Sequence, residues 1–423
     1  MNFKSALSYV LVVAYAAIPS LQAAERPFGV GDASLVDAGL RHAIDRAAQT
    51  HPSVEAARTS AQAAGVDVHA AQWQRFPSLS VEGLLLDQSS NKVQAQAVVD
   101  QPLWTAGRIS GSIDRASARE NASLAAYDEA VLSVALSTSQ AFVDVYRLRE
   151  RAKIISVSLQ QHNLMVETMQ RRVEQQVSPS SDLDLARARA LQIEQEFFQV
   201  QAQERSALSR LREWVGDLNF DVKNELSFPE IWPHFDDVDV LTKAIDFNPQ
   251  LRRLSFESDS AKADVKIAKS TTLPQLSAQY SYSEALGNRF GLVLKLQSES
   301  GLSKFSEAEA TRIRAQSTQL QHEVAARQLK DQLISTLREY DSFTKRMANS
   351  AAASESTKLV MESYMRQFTS GRRTWLDVMN AVREATAAET DALDVRIGGE
   401  SSLVRILLLS GQWIPQMHEE NGK

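Results

Sequence analysis

From Leu124 to Gln176 the chain reads LAAYDEAVLSVALSTSQAFVDVYRLRERAKIISVSLQQHNLMVETMQRRVEQQ. Leu124, Tyr127, Val131, Val134, Thr138, Ala141, Val145, Leu148, Ala152, Ile155, Leu159, His162, Val166, Met169, Val173 and Gln176 recur at alternating spacings of three and four. Thirteen of these sixteen are apolar, which makes the stretch a sustained heptad seam. No Gly or Pro interrupts the chain from Ser112 to Ser178, and none from Leu302 to Ser370. At 1.5 Å per residue, a helix filling either gap is about 100 Å long. Such a helix outruns an ordinary domain and must lie against partners of similar length. In the second gap Leu329, Leu333, Leu337, Tyr340 and Met347 form the best seam, and the remaining faces are rich in Ala, Ser and Gln. Those small residues permit close packing on more than one side.

The two gaps belong to a duplication. Ile44-x-x-Ala47 followed by His51-Pro52-x-Val54 matches Leu241-x-x-Ala244 followed by Asn248-Pro249-x-Leu251, at an offset of 197. Asp184-Leu185-x-x-Ala188 matches Asp377-Val378-x-x-Ala381 at an offset of 193. Each half reads helix, two strands, very long helix, turn, helix. The divisions expected are a first repeat over 33–216, a connection over 217–236, a second repeat over 237–413 and a tail over 414–423. The strands are expected at about 79–100 and 275–298. In the second half Leu276, Ala278, Tyr280 and Tyr282 alternate with Ser277, Gln279, Ser281 and Ser283. Phe290, Leu292, Leu294 and Leu296 alternate likewise with Gly291, Val293, Lys295 and Gln297. Period two with one apolar face marks strands, and their length suits a membrane barrel. A soluble hairpin packed on its helices is the other reading of the same pattern. Four strands cannot close a barrel, and an open sheet in lipid leaves its edges unpaired. Strands in a membrane therefore require several chains, and three copies would supply twelve.

Composition narrows the classes. The 423 residues include no cysteine, which excludes disulfides, thiolate metal sites and cysteine nucleophiles. The formal net charge of −6 announces no nucleic-acid partner. Residues 1–24 read as a secretory signal: Lys4 precedes the apolar run Ala6 to Ile18, and small residues Ala23 and Ala24 follow. A run of 13 residues is too short to cross a bilayer as a helix. The histidines form no HxxxH or HExxH pair, and no GxSxG, P-loop or GxGxxG occurs, so neither an enzyme nor a metal or other cofactor is expected. His162 sits on the seam as a tolerated core position.

The duplicated His/Asn-Pro helix starts, the run Gln101-Pro-Leu-Trp-Thr-Ala-Gly-Arg108 and the turn Phe368-Thr-Ser-Gly-Arg-Arg-Thr-Trp-Leu-Asp-Val378 together resemble the TolC family of outer-membrane channel proteins. The resemblance covers about Leu35 to Trp413. It implies a mostly α chain with a membrane β-barrel, assembled as a homotrimer: a 12-stranded barrel in the outer-membrane lipid, continued by an α-helical tunnel in the periplasm. It also implies a periplasmic adaptor and an inner-membrane transporter as partners. Within the family, Tyr364 to Glu384 and Glu299 to Ser306 are similar to exit ducts of type I systems that secrete large adhesins, which favours an ABC-type transporter. Efflux of drugs or metals by the same kind of channel is the alternative, and a soluble periplasmic coiled-coil adaptor is an alternative of another class. The resemblance places the periplasmic gate at the two helix turns. Arg373 matches a gate arginine, Asp184 an aspartate that opposes it, and Asp377 an aperture ring. Phe368 stands where a gating tyrosine is expected, and Asn380 where a second aspartate ring is expected. Asp184 and Asp377 are also expected in the first turns of their helices, where a carboxylate is favoured with no gating role. Trp104, Tyr280, Tyr282 and Phe290 are candidates for an aromatic belt at the membrane interface, with packing inside a soluble sheet as the other reading.

Overall fold

The computed structural model describes residues 35–85, 93–222, 229, 231–283, 287–296 and 302–416. The expected signal over 1–24, the Glu299–Gly301 part of the adhesin-exporter resemblance and most of the tail lie outside them. The element order is α1 (Ala38–Thr50), α2 (Pro52–Trp73), β1 (Ser78–Leu85), β2 (Val93–Trp104), α3 (Arg108–Glu174), α4 (Ser180–Val215), α5 (Asp237–Phe247), α6 (Pro249–Ser270), β3 (Gln275–Ser283), β4 (Gly287–Lys295), α7 (Ser303–Thr369) and α8 (Trp375–Leu409). The same order of elements thus runs twice. The long helices α3 and α7 have 67 residues each.

The repeated X-Pro dipeptides start α2 and α6. His51 Nδ1 accepts from Ser53 N and Asn248 Oδ1 from Leu251 N, while Pro52 and Pro249 occupy a first-turn position where no N–H is missed. These starts are also joints. The end of α4 meets the start of α2: Thr50 Oγ lies 3.2 Å from the Val215 carbonyl, and the His51 and Trp214 rings stack at 4.9 Å. The end of α8 meets the start of α6 in the same way, with Gly411 at φ +69° against the Phe247 ring. A side chain at 411 would be strained by the backbone and would also run into that ring. α4 with α2, and α8 with α6, therefore act as two interrupted long helices beside α3.

Packing makes a wall four helices wide. α3 lies against α2 and α4 on one side and α6 and α8 on the other; α7 lies against α6 and α8. The seam holds: every heptad position from Tyr127 to Val173 is buried or half-buried, and Leu124 and Gln176 mark its ends. Polar clasps tie α3 to α6 across the two repeats. Arg115 pairs with Asp264 at 3.2 Å, Lys266 with Asp114 at 2.8 Å, Arg253 with Glu129 at 2.6 Å, and Arg252 with Asp128. Each is partly solvated and contributes about 0.2–1 kcal/mol, so they set register more than stability. The main core lies at mid-length, where α1 and α5 form a collar on the wall and Leu40, Ile44, Phe142, Leu333, Leu403 and Leu407 meet.

The outer flanks of the wall are not covered. α4 exposes Leu191 and Phe198, seven residues apart. α7 exposes Ile313, Leu320 and Val324 on one stretch and Leu359 and Val360 on another. Heptad spacing on an uncovered flank is the signature of a further helix partner.

The four strands form one antiparallel sheet in the order β1-β2-β3-β4. Register puts Leu79, Val99, Tyr280 and Phe290 in one row, and Val81, Ala97, Tyr282 and Asn288 in the next on the same side. The other side carries Ser78, Asp100 and Gln279, then Ser80, Val98, Ser281 and Arg289. One side is thus apolar and the other largely polar. The apolar side is open: Leu79, Val81, Leu292 and Leu294 are exposed, and Phe290 is 77% exposed. The soluble-hairpin reading requires this side to be covered by helices, and none of the described helices covers it. β2 runs past the expected end at about residue 100 to Trp104. A shift in pairing between Pro102 and Trp104 lets the strand pass a residue with no N–H and returns Trp104 to the row of Leu276 and Leu294.

Glu400 of α8 sits in the core, 2% exposed, and neither carboxyl oxygen has a hydrogen-bond partner. Burial, with the nearby Asp37 carboxylate adding to it, pushes its pKa up to about 8. The folded chain therefore holds a proton there that the unfolded chain has released above the ordinary glutamate range. Stability from this group is full in acid and is lost as pH rises through about 8. Thermal melts of the wild type between pH 5 and pH 9 should show the midpoint falling by several degrees, and Glu400→Gln should flatten that fall. A variant with the same pH dependence as the wild type would remove Glu400 as its source.

Candidate functional site

The candidate site lies at the end of the wall remote from the sheet, where α3 turns into α4 and α7 into α8. Both long helices end in the same way. Val177 N donates to Arg172 O at 2.8 Å and Gln176 N to Val173 O at 2.9 Å; Arg372 N donates to Gln367 O and Gly371 N to Phe368 O, each at 2.9 Å. These are paired Schellman turns with a left-handed residue at the same place, Gln176 at φ +59° and Gly371 at φ +74°. Each turn is then clasped by side chains six residues apart. Arg172 Nε donates to Ser178 Oγ at 3.1 Å, and Arg373 Nε donates to Gln367 Oε1 at 3.3 Å. Arg172 and Gln367 are equivalent positions, as are Ser178 and Arg373, so the second turn makes the clasp of the first with donor and acceptor exchanged.

Beneath the turns Met165, Met169, Leu183, Phe368, Trp375 and Val378 form a separate apolar cluster. Phe368 is 7% exposed and belongs to that cluster; its ring lies under the Arg172 guanidinium at 5.5 Å. Its side chain acts as packing, and no hydroxyl is presented at the surface. Arg373 lies 4.3 Å over the Tyr364 ring, and its Nη1 is 4.0 Å from Asp377 Oδ2. Asp377 forms a capping box with Thr374. Its Oδ2 accepts from Thr374 N at 3.2 Å and from Thr374 Oγ at 2.9 Å, while Asp377 N donates to Thr374 Oγ at 3.2 Å.

Arg373, Asp377 and Phe368 are thus brought to one turn. Asp184 is exposed on α4 and makes no ion pair with Arg373 within the chain, and Asn380 is exposed on α8. Asp184 also lies beyond the first turn of α4, whose acidic residue is Asp182. α4 begins at Ser180, four residues before Asp184. Tyr364, Gln367 and Arg172 were not singled out from the sequence. Their signal was positional: Arg172 and Gln367 each stand six residues before a polar partner across the turn.

The four aromatic candidates do not share one belt. Trp104 ends β2 on the helix side of the sheet and is half-exposed. Tyr280 and Phe290 face each other four residues along, with Tyr280 Oη donating to Asn288 Oδ1 at 3.0 Å, and half-buried Tyr282 lies beyond. Six residues of strand from the Trp104 row to the Tyr282 row span about 20 Å. Trp73 and Phe76 join the helix-side level: both are exposed, and their rings meet at 5.0 Å. The four therefore stand at two levels of the sheet, with Trp73 and Phe76 at the level of Trp104.

Among the described residues no group of three or more His, Asp or Glu could hold a metal ion, and no helix is long and apolar enough to cross a membrane.

Residues 43–217 match the family model described as outer membrane efflux protein. The matched stretch is the first repeat. The description is of outer-membrane transport proteins, in line with the location expected from the sequence. No curated protein sequence matches the chain. Among solved structures, a membrane protein from Pseudomonas aeruginosa superposes with a TM-score of 0.79 at 17% identity, over 95% of this chain and 100% of that one. The CmeC outer membrane channel of Campylobacter jejuni gives 0.78 at 13% identity, over 96% of both chains. The outer membrane protein VceC of Vibrio cholerae gives 0.77 at 16% identity, over 90% of this chain and 97% of that one. The fold of outer-membrane channels therefore extends through both repeats, beyond the matched stretch.

The cap at Asp377 can be tested by substitution. Asp377→Ala removes the capping box and should weaken the start of α8 by about 1 kcal/mol. Amide exchange in the first turn of α8 should quicken while the mid-length core stays protected. Unchanged exchange there would show that the box contributes nothing.

Proposed function

We propose that three copies of the chain close into one outer-membrane channel with a helical tunnel below it. One observation carries this reading: the contact between repeats is used once inside the chain and left open once. β2 of the first repeat pairs with β3 of the second, and α3 packs on α6 and α8 of the second. β4 and α7 stand at the equivalent places in the second repeat, and their corresponding edges have no partner among the described residues. Strand order makes β4 antiparallel to the β1 of a following copy, as a closed barrel requires. Closure also satisfies the edge groups that lipid would leave unpaired. The apolar side then faces lipid and the polar side the lumen, with Trp104, Trp73 and Phe76 at one interface and Tyr280, Tyr282 and Phe290 toward the other. A secretory signal over 1–24 and repeats over 33–216 and 237–413 belong to the same reading.

The turns form the periplasmic entrance in this assembly. A ring of Asp377 carboxylates, one from each chain, attracts cations, and Arg373 beside each offsets the charge. Asp184 would meet its cation across a boundary between helices of different copies. With Phe368 buried and Asn380 neutral, closure rests on fewer polar contacts than a tyrosine and a second acidic ring would give. The run Tyr364 to Glu384 supports duty as the exit duct of a type I system, with a periplasmic adaptor, an ABC-type transporter and a large adhesin or similar protein as cargo. The description of the matched family favours a second reading, small-molecule efflux through the same channel.

Purified in detergent, the protein should have three times the mass of one chain and should conduct in planar bilayers. Asp377→Asn should weaken block by divalent cations. A water-soluble monomer recovered without detergent would end the channel reading; unaltered block would end only the aperture role. Deletion of the gene separates the two duties: a large surface protein retained in the cell supports secretion, and sensitivity to small toxic compounds supports efflux.

A further inference from the structure

The collar covers one face of the wall; on the opposite face a polar cleft runs between α3 and α8. On α3 the collar side carries Phe142, Val145 and Tyr146, which are buried in the main core. Ser137, Gln140 and Asp144, at helical spacing, lie on the other side. On α8 the same division separates core residues Leu403, Val404 and Leu407 from Asp394, Ser401 and Arg405. Two cavities of about 520 and 390 Å³ open there and share Gln140, Asp144 and Ser401, so they form one cleft.

Charge is unevenly compensated along it. In the smaller cavity Arg147 pairs with Asp144 at 3.0 Å and Arg346 with Asp391 at 3.2 Å, while Asp394 keeps a buried carboxylate oxygen with no hydrogen-bond partner, so this end is acidic. The larger cavity is lined by Arg210 of α4 and Arg405 of α8, and neither has a carboxylate partner among the described residues. Its one acid, Asp144, is already taken by Arg147 and by Gln140 Nε2 at 3.3 Å. Ser137, Ser401 and Gln332 complete the lining with further donors. Two guanidinium forks from different helices, with hydroxyl and amide donors around them and no free acid, match the donor pattern that oxyanions require. The cleft is recessed into the wall, which strengthens such contacts relative to open solvent.

We propose that the larger cavity of this cleft binds oxyanions, carboxylate or phosphate, on the inner face of the wall at collar height. Its position inside a conduit rests on the channel reading; the binding itself does not. Two sources share the chemistry: free anions, and acidic side chains of a polypeptide in transit.

The test uses the full chain purified in detergent, with titration calorimetry at low ionic strength against inorganic phosphate and, separately, a hexa-aspartate peptide. Saturable binding is expected, reduced roughly tenfold by Arg405→Gln and by Arg210→Gln. Arg405→Lys should retain part of it, because the charge stays while the fork is lost. Arg314→Gln, an exposed guanidinium on α7 outside the cleft, should leave it unchanged. Binding of phosphate alone supports a site for free anions, and binding of the peptide supports contact with acidic cargo. No saturable binding, or equal losses in all the glutamine variants, overturns the proposal. Bilayer conductance of the same preparations keeps the two readings apart: a conducting pore that binds neither probe sinks only the anion site, and phosphate binding without a pore sinks only the conduit.

Discussion

A sheet of four strands with one bare apolar side and two open edges is stable alone in neither solvent. In water the apolar side is an exposed patch, and in lipid the edges strand their N–H and C=O groups. Every other large feature answers to that constraint. The duplication supplies the second pair of strands and, with it, a template for the missing contact. The long helices carry the same repeat away from the sheet, so that whatever closes the sheet also closes the wall. The collar sits where the interrupted helices meet, because those joints are where the ladder of intrahelical bonds is broken and outside packing must replace it.

Most of this was legible because it is periodic. The breaker-free gaps gave α3 and α7 nearly to their ends: α3 extends four residues beyond the first gap and tolerates Gly111, which faces Ile267 of α6 at a close crossing. The strands in the second half were read from clean alternation. The end of β2 was not, since Pro102 argues for a strand terminus and only the bulge, a tertiary feature, explains how pairing continues. Glu400 illustrates a second kind of loss. Nothing in a single sequence distinguishes a glutamate whose carboxyl faces solvent from one enclosed by a collar drawn from remote segments of the chain.

The site was legible by analogy and less so by physics. Arg373, Asp377 and Phe368 do gather at one turn, but each has a local occupation there: an aromatic face and an amide for Arg373, a helix cap for Asp377, packing for Phe368. Spacing alone could not reveal these, because Tyr364 and Gln367 reach Arg373 across a turn whose conformation depends on Gly371. The proposed gating role thus falls on residues already engaged, and opening would have to break those engagements or carry the turn as a rigid piece. The exchanged clasps favour the second, since both turns are braced internally by the same i, i+6 geometry.

Duplication also explains a difference that sequence alone left unexplained. α3 and α7 have the same length and the same place in their repeats, yet α3 carries a continuous seam and α7 a broken one. In the wall α3 is flanked on both sides by its own chain, so its seam is covered from Tyr127 to Val173. α7 is flanked on one side only, and its buried residues cluster at mid-length, where the collar and α8 reach it. The apolar residues it shows elsewhere, Ile313, Leu320 and Val324, recur at helical spacing on the flank equivalent to the one that α3 packs on α6. The weaker heptad is thus a boundary: it lies where the described residues flank α7 on one side instead of two.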